Sequence, residues 1–205
     1  MSAPTPVVDP AWLAERLAEP AARFGVAVDS ATAEALAGLS TRLLAWSRRT
    51  NLTGARDAAA LADAHLADAF ALMPDLEDVR GSLLDVGSGG GLPGLVLAIL
   101  RPDLEVVLLE PIGKKHAFLR RAVRELGLAR ARPRRERLEA YRASPAFRLH
   151  DAAVSRATFP LGAWLVLGLE LVRPGGRVLG LAGAERVALP AGAARRPYRR
   201  PGSEV

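Results

Sequence analysis

Asp85 closes an apolar run, and five glycines follow within eight positions: Gly87, Gly89, Gly90, Gly91 and Gly94. Glycine costs about 0.5–1 kcal/mol relative to alanine inside regular structure, so such a cluster marks backbone that bends sharply or approaches a ligand closely. Gly89-Gly90-Gly91-Leu92-Pro93-Gly94 formally fits the G-x-G-x-x-G of dinucleotide folds, with Glu110 about twenty residues further on. A pyrophosphate-binding turn follows its strand directly, whereas here Asp85 stands two residues before the first glycine. A carboxylate there repels a diphosphate and can receive an ammonium or a water. Glu110 ends the next apolar segment, EVVLLE, where a carboxylate can accept both hydroxyls of a ribose. Glu139, in RERLEAY, is the third acidic residue, suited to reading an adenine edge. Each of the two glutamates also has a plain reading as the exposed end of an element.

These residues need strand ends to hold them, and the chain supplies strands. Ser82–Val86 reads as a buried strand, Pro93–Leu100 as a helix, Glu105–Glu110 as a strand and Lys114–Leu126 as a helix. Ala131–Arg135 is a weak third strand, Ala152–Ser155 a fourth and Arg177–Leu181 a fifth after a PGG turn, with a helix over Leu161–Val172 between the last two. Strands alternating with helices imply an α/β fold: a doubly wound, mostly parallel, Rossmann-like sheet with right-handed crossovers. Ligands then bind beyond the carboxyl ends of the strands, where the loop from Gly87 to Gly94 falls. The first 80 residues read as a small N-terminal helical cap, and 81–205 as the sheet-bearing core. Leu36, Leu39, Leu43 and Trp46 make one helical stripe capped by Asp29 and Ser30. Trp12–Leu17 makes a shorter helix ended by Pro20, and Ala58–Met73 a third, stopped by Pro74. The Pro/Gly/Arg-rich end from Pro190 onward reads as loose.

Of 205 residues half are apolar and none is cysteine, which excludes disulfides, thiolate metal sites and cysteine nucleophiles. His65, His116 and His150 do not stand at metal-ligand spacing and read as helix or surface residues, so no metal is expected. The first residues lack a signal peptide's basic and apolar regions, and the longest apolar run is about half a membrane span. A cytoplasmic protein with no membrane partner is expected. Net charge is +6, but residues 113–142 alone carry 11 basic against 3 acidic side chains, while 1–80 carry 7 against 11. Localised basic density points to a polyanion such as RNA, or else to a solvated arginine-rich helix face. Lys114, Lys115, Arg120, Arg121 and Arg124 fall on one helix whose Phe118, Leu119 and Val123 can face the sheet. Such a face neutralises phosphates without reading bases.

Asp85-x-Gly87-x-Gly89-x-Gly91 is the pattern of S-adenosylmethionine-dependent methyltransferases, whose ligand carries a sulfonium and an amino-acid tail but no phosphate. The chain further resembles one such family, the small-subunit ribosomal RNA guanine-N7 methyltransferases called RsmG or GidB. The resemblance is carried in order by Trp46 with Asn51-Leu52-Thr53, by AHLADA with His65 and Asp68, by DVGSGGGLPG, by LLEPIGKKHAFLR and by VSRA at Val154–Ala157. It implies S-adenosyl-L-methionine as cofactor, held with Asp85, Gly87, Gly89, Leu92, Glu110, Leu138, Glu139 and Arg156. Gly87 and Leu92 would hold it through backbone contacts, Leu138 and Glu139 would flank the adenine, and Arg156 would lie at the mouth of the site. It also implies 16S rRNA or an assembling small subunit as partner, with Lys114 and Lys115 facing phosphates; a monomer is expected. Three departures stand out: Ala69 replaces a serine, Ala182-Gly183 replaces Lys-Gly, and the chain ends at GSEV where the family forms a final strand.

Guanine N7 carries a free lone pair in the neutral base, so methyl transfer needs the reactants held in line at roughly 3–3.5 Å and no general base. That chemistry suits a chain with no evident nucleophile–base set. Arg156 is expected to position substrate and not to move a proton, or else to pair with Glu110 or Asp85. The alternatives are a small-molecule methyltransferase of the same fold, a non-catalytic RNA- or nucleotide-binding module and, disfavoured by Asp85, a nicotinamide dehydrogenase.

Overall fold

The computed structural model describes residues 7–181, 188–198 and 200. Five parallel strands, β1 (Ser82–Val86), β2 (Glu105–Leu109), β3 (Ala131–Arg134), β4 (His150–Ser155) and β5 (Val172–Gly180), form one sheet in the order β3-β2-β1-β4-β5. Connections run outward from β1 to β3, then return to β4 on the other side. The direction therefore reverses between β1 and β4, where Asp85 pairs with Val154. A crevice at such a reversal is where doubly wound sheets bind ligands.

β1 is buried along its whole length, as a central parallel strand covered on both faces must be. Leu83, Val106, Leu108, Ala152 and Val154 face one layer, together with α5 (Gly94–Leu100) and α6 (Gly113–Glu125). Leu84, Val86, Val107, Leu109 and Ala153 face the other, against α7 (Leu138–Ala143) and α8 (Leu161–Leu169). The N-terminal helices α1 (Pro10–Arg23) and α2 (Ser30–Ser47) join the first layer. Leu13, Leu17, Leu36, Leu39 and Leu43 lie in one continuous core with Leu83 and Leu95, so the cap residues and that sheet face bury each other.

Local chemistry explains most boundaries. Asp9 and Asp29 cap α1 and α2, their carboxylates accepting from Trp12 and Thr32 N–H, both at 2.8 Å. Pro20 does not end α1; the helix runs on to Arg23, because Pro20 and Ala21 are buried and that packing offsets one lost backbone bond. The third helical stretch is broken into α3 (Ala58–Leu61), a π turn (Ala62–Leu66) and α4 (Ala67–Phe70). α8 stops at Leu169 and not at Val172, since Leu171 is buried in the turn that follows and Val172 begins β5. The PGG stretch lies inside β5, whose register against β4 jumps from His150↔Val172 to Ala152↔Arg177. The chain end is not loose where it is described: Arg196 makes two bonds to Asp75, at 2.8 and 2.9 Å, and Tyr198 sets its ring edge against Phe24. Ala182, Gly183 and GSEV lie outside the described residues.

Candidate functional site

Asp85 points inward from the end of β1, 1% exposed, and its Oδ2 accepts from the N–H of Gly94, the first residue of α5, at 3.1 Å. A Cβ on Gly94 would overlap that carboxylate, so glycine is required for the approach. Burial pushes the Asp85 carboxyl up to about 7, against the opposing pull of Ser88, Gly94 and Arg156, while Glu110 adds to the rise. The start of α5 thus already holds a carboxyl group of the protein itself. That is the position at which a dinucleotide fold would seat its pyrophosphate.

Between Asp85 and Gly94 the loop is built on left-handed backbone. Gly87 and Gly89 have φ of 76° and 56°, values that glycine adopts without a Cβ penalty. A side chain at Gly87 would run into Thr158, whereas one at Gly89 would meet nothing nearer than Gly87 O at 3.8 Å. Bare backbone is therefore presented at Gly89. Glu110, 3% exposed, anchors the loop from β2: Oε2 accepts from Gly89 N–H at 2.9 Å and Oε1 from Ile112 N–H at 2.8 Å. Its carboxylate is spent first on backbone, not left open at a strand end. Leu92 is buried against the same core, and Gly90 lets the backbone of Leu52 approach, its carbonyl 2.9 Å from where a Cβ would stand.

β4 delivers the other wall. Ser155 Oγ donates to Val86 O at 2.8 Å, tying the ends of β4 and β1 together. Arg156 follows, and Ala157 takes a left-handed φ of 55° that turns the chain back over Gly87. Non-glycine residues in that region cost about 1–3 kcal/mol and cluster at ligand clamps. Arg156 does not pair with Asp85 or Glu110. Its Nη1 lies 2.5 Å from His65 Nδ1 and 3.4 Å from Asp68 Oδ2. Asp68, 1% exposed, also accepts from Arg200 at 2.9 Å through both Nε and Nη2, and from the Tyr198 hydroxyl. Burial lowers the guanidinium pKa of Arg156, with Asp68 opposing. Burial, helped by the charge of Arg156, holds His65 down to about 4. His65 Nε2 lies 2.9 Å from Thr53 Oγ1.

The remaining expected residues divide. Leu138 is buried at the start of α7, and Glu139 beside it is exposed. Lys114 and Arg120 are exposed on α6 and Lys115 is half-buried in its first turn. Arg121 is exposed as well; its Nε bonds Glu125 at 2.7 Å and its guanidinium lies over the Trp46 ring, so it also ties α6 to α2. His150 is not a surface residue but fully buried in β4, bridging Ser82 Oγ and Tyr141 OH at 3.0 Å each. Among the described residues no group of three or more metal-ligating side chains converges. The contacts of Thr53, Thr158, Tyr198 and Arg200 were not legible from spacing; the i, i+3 pair His65 and Asp68 was the one available signal.

The family model described as rRNA small subunit methyltransferase G, GidB, matches residues 32–188. A protein named ribosomal RNA small subunit methyltransferase G from Alkalilimnicola ehrlichii is 43% identical over 161 residues, covering 78% of this chain and 71% of that one. Its namesake in Anaeromyxobacter dehalogenans is 40% identical over 182 residues, covering 88% and 84%. Among solved structures, a Plasmodium falciparum chain described as a protein-L-isoaspartate O-methyltransferase, in complex with S-adenosyl-L-homocysteine, superposes with a TM-score of 0.50 at 15% identity. It covers 83% of this chain and 82% of its own, a likeness of fold alone.

Proposed function

The chain belongs to the rRNA small subunit methyltransferase G (GidB) family, and from that premise we propose that it methylates N7 of a guanosine in 16S rRNA, in the cytoplasm, using S-adenosylmethionine. The observation that carries the cofactor assignment is the bond from Gly94 N–H to Asp85. A fold of this class that bound a diphosphate would leave that helix start for the phosphates. Here it is filled, and a second buried carboxylate, Glu110, backs the loop. Bare backbone over two acidic groups fits a cationic donor without phosphate.

Bound S-adenosylmethionine supplies a methyl group on a positively charged sulfur. Asp85, Gly87, Gly89, Leu92 and Glu110 would hold it along the loop, with Leu138 and Glu139 toward the adenine. A neutral guanine N7 would accept that methyl group on its free lone pair, so no side chain would need to take up a proton. The protein's task is alignment. Arg156, fixed by His65 and Asp68 at the end of β4, is the positioning group for the base. Lys114, Lys115 and Arg120 lie exposed or half-buried on α6 to meet the RNA backbone, as a monomer.

The experiment is methyl transfer itself. Radiolabelled S-adenosylmethionine is incubated with deproteinised 16S rRNA and with intact small subunits, and modified bases are mapped. Label at one guanine N7 is expected. Label in neither substrate, together with transfer to small molecules, would favour the small-molecule alternative.

A further inference from the structure

Thr53, in a stretch Asn51-Leu52-Thr53 that the methyl-transfer scheme leaves without a task, is joined through His65 to Arg156 in one chain of hydrogen bonds. Its polarity can be worked out from one end. A guanidinium only donates, so His65 Nδ1 is the acceptor of the bond from Arg156 Nη1. His65 is neutral at ordinary pH, so its single ring proton sits on Nε2. Nε2–H then donates to Thr53 Oγ1. The same oxygen accepts the N–H of Ala55 at 3.1 Å. Both lone pairs are committed, and the hydroxyl hydrogen is what Thr53 has left to give. Among the described residues nothing accepts it. Thr53 is half-buried and adjoins Leu52, which packs on Gly90 of the cofactor loop. The π turn that carries His65 is of a kind frequent at functional sites.

We propose that Thr53 donates its hydroxyl hydrogen to O6 of the target guanine, with His65 and Arg156 fixing it as a donor, and so reads the oxygen beside the methylated nitrogen. The inference rests on the guanine-N7 reading above. Guanine presents N7 and O6 as neighbouring acceptors, whereas adenine places an amino donor at the second position. A hydroxyl whose acceptor capacity is used up pairs with the first and opposes the second.

The test is a double-mutant cycle between the hydroxyl and the oxygen. kcat/KM is measured with RNA carrying guanine, or 2-aminopurine, at the modified position; 2-aminopurine keeps N7 and lacks O6. The wild type is expected to prefer guanine by about tenfold or more. Thr53→Val loses most of that preference, and Thr53→Ser keeps it. Thr53→Ala carries the expectation of the valine variant should valine not fold. A preference unchanged in Thr53→Val, or an equal loss on both RNAs, overturns the proposal and leaves the methyltransferase reading standing. No transfer by the wild type to guanine RNA overturns that reading first.

Discussion

Asp85 reaches across the whole glycine loop to bond the N–H of Gly94, nine residues on, at 3.1 Å. One contact fixes where the loop starts, where α5 starts, and which charge occupies the mouth between them. Gly94→Ala would force a methyl group into Asp85 Oδ2 and Leu108 Cδ2. Overpacking of this kind costs about 1–3 kcal/mol. Thermal melting should fall, and calorimetry should show S-adenosylmethionine affinity lowered by more than the stability change alone explains.

The elevated Asp85 carboxyl has a signature in pH. An unfolded aspartate titrates near 3.9, the folded one near 7. The folded state therefore keeps a proton that the unfolded state has lost, and this group withdraws stability as pH rises from about 4 through about 7. His65 and His150 act oppositely: both are held down to about 4 in the fold, so they add stability as pH rises from about 4 to about 6.5. Two groups outweigh one. Urea denaturation should show wild-type stability rising up to about pH 6.5 in this window, and Asp85→Asn should steepen that rise.

Arg156 holds His65 and Asp68 through one nitrogen, Nη1, and lysine's compact ammonium on a flexible stem does not reproduce the position that the planar guanidinium fixes. Arg156→Lys and Arg156→Ala are both expected to lose on the order of 100-fold in kcat/KM. Stability should fall less, because Asp68 retains both bonds from Arg200. A lysine variant with wild-type kinetics would remove Arg156 as the positioning group.

The exposed basic side chains of the helix differ in what holds them, and Arg121 is engaged by Glu125 and Trp46. Removing Lys114 or Arg120 should reduce the log–log salt slope of RNA binding by about 0.7 each, the increment for one phosphate on a single strand. Arg121→Ala should leave the slope unchanged and lower the melting temperature, because that side chain is held by Glu125 and Trp46. Filter binding over a salt series distinguishes the two behaviours.

Sequence pattern carried the sheet well because a buried parallel strand writes itself as an apolar run: β1 and β2 are SLLDV and EVVLL. It carried Asp85 and the glycines because left-handed turns and close approach leave few residue choices. It failed where packing overrode local preference, as at Pro20 inside α1 and at Val172 drawn into the sheet. It could not show that Glu110 turns to Gly89 or that Arg156 turns to His65, since those partners lie 21 and 91 residues away. Nor could it show that Arg121, exposed on α6, bonds Glu125 on its own helix and lies over Trp46 on another.

The most direct measurement is titration calorimetry of the purified protein with S-adenosylmethionine, S-adenosylhomocysteine and NAD in turn. Saturable heat with the first two and none with NAD is the expected result. Binding of NAD without either of the others would mean that the Asp85 and Gly94 pair does not exclude a diphosphate, and the cofactor assignment would fall.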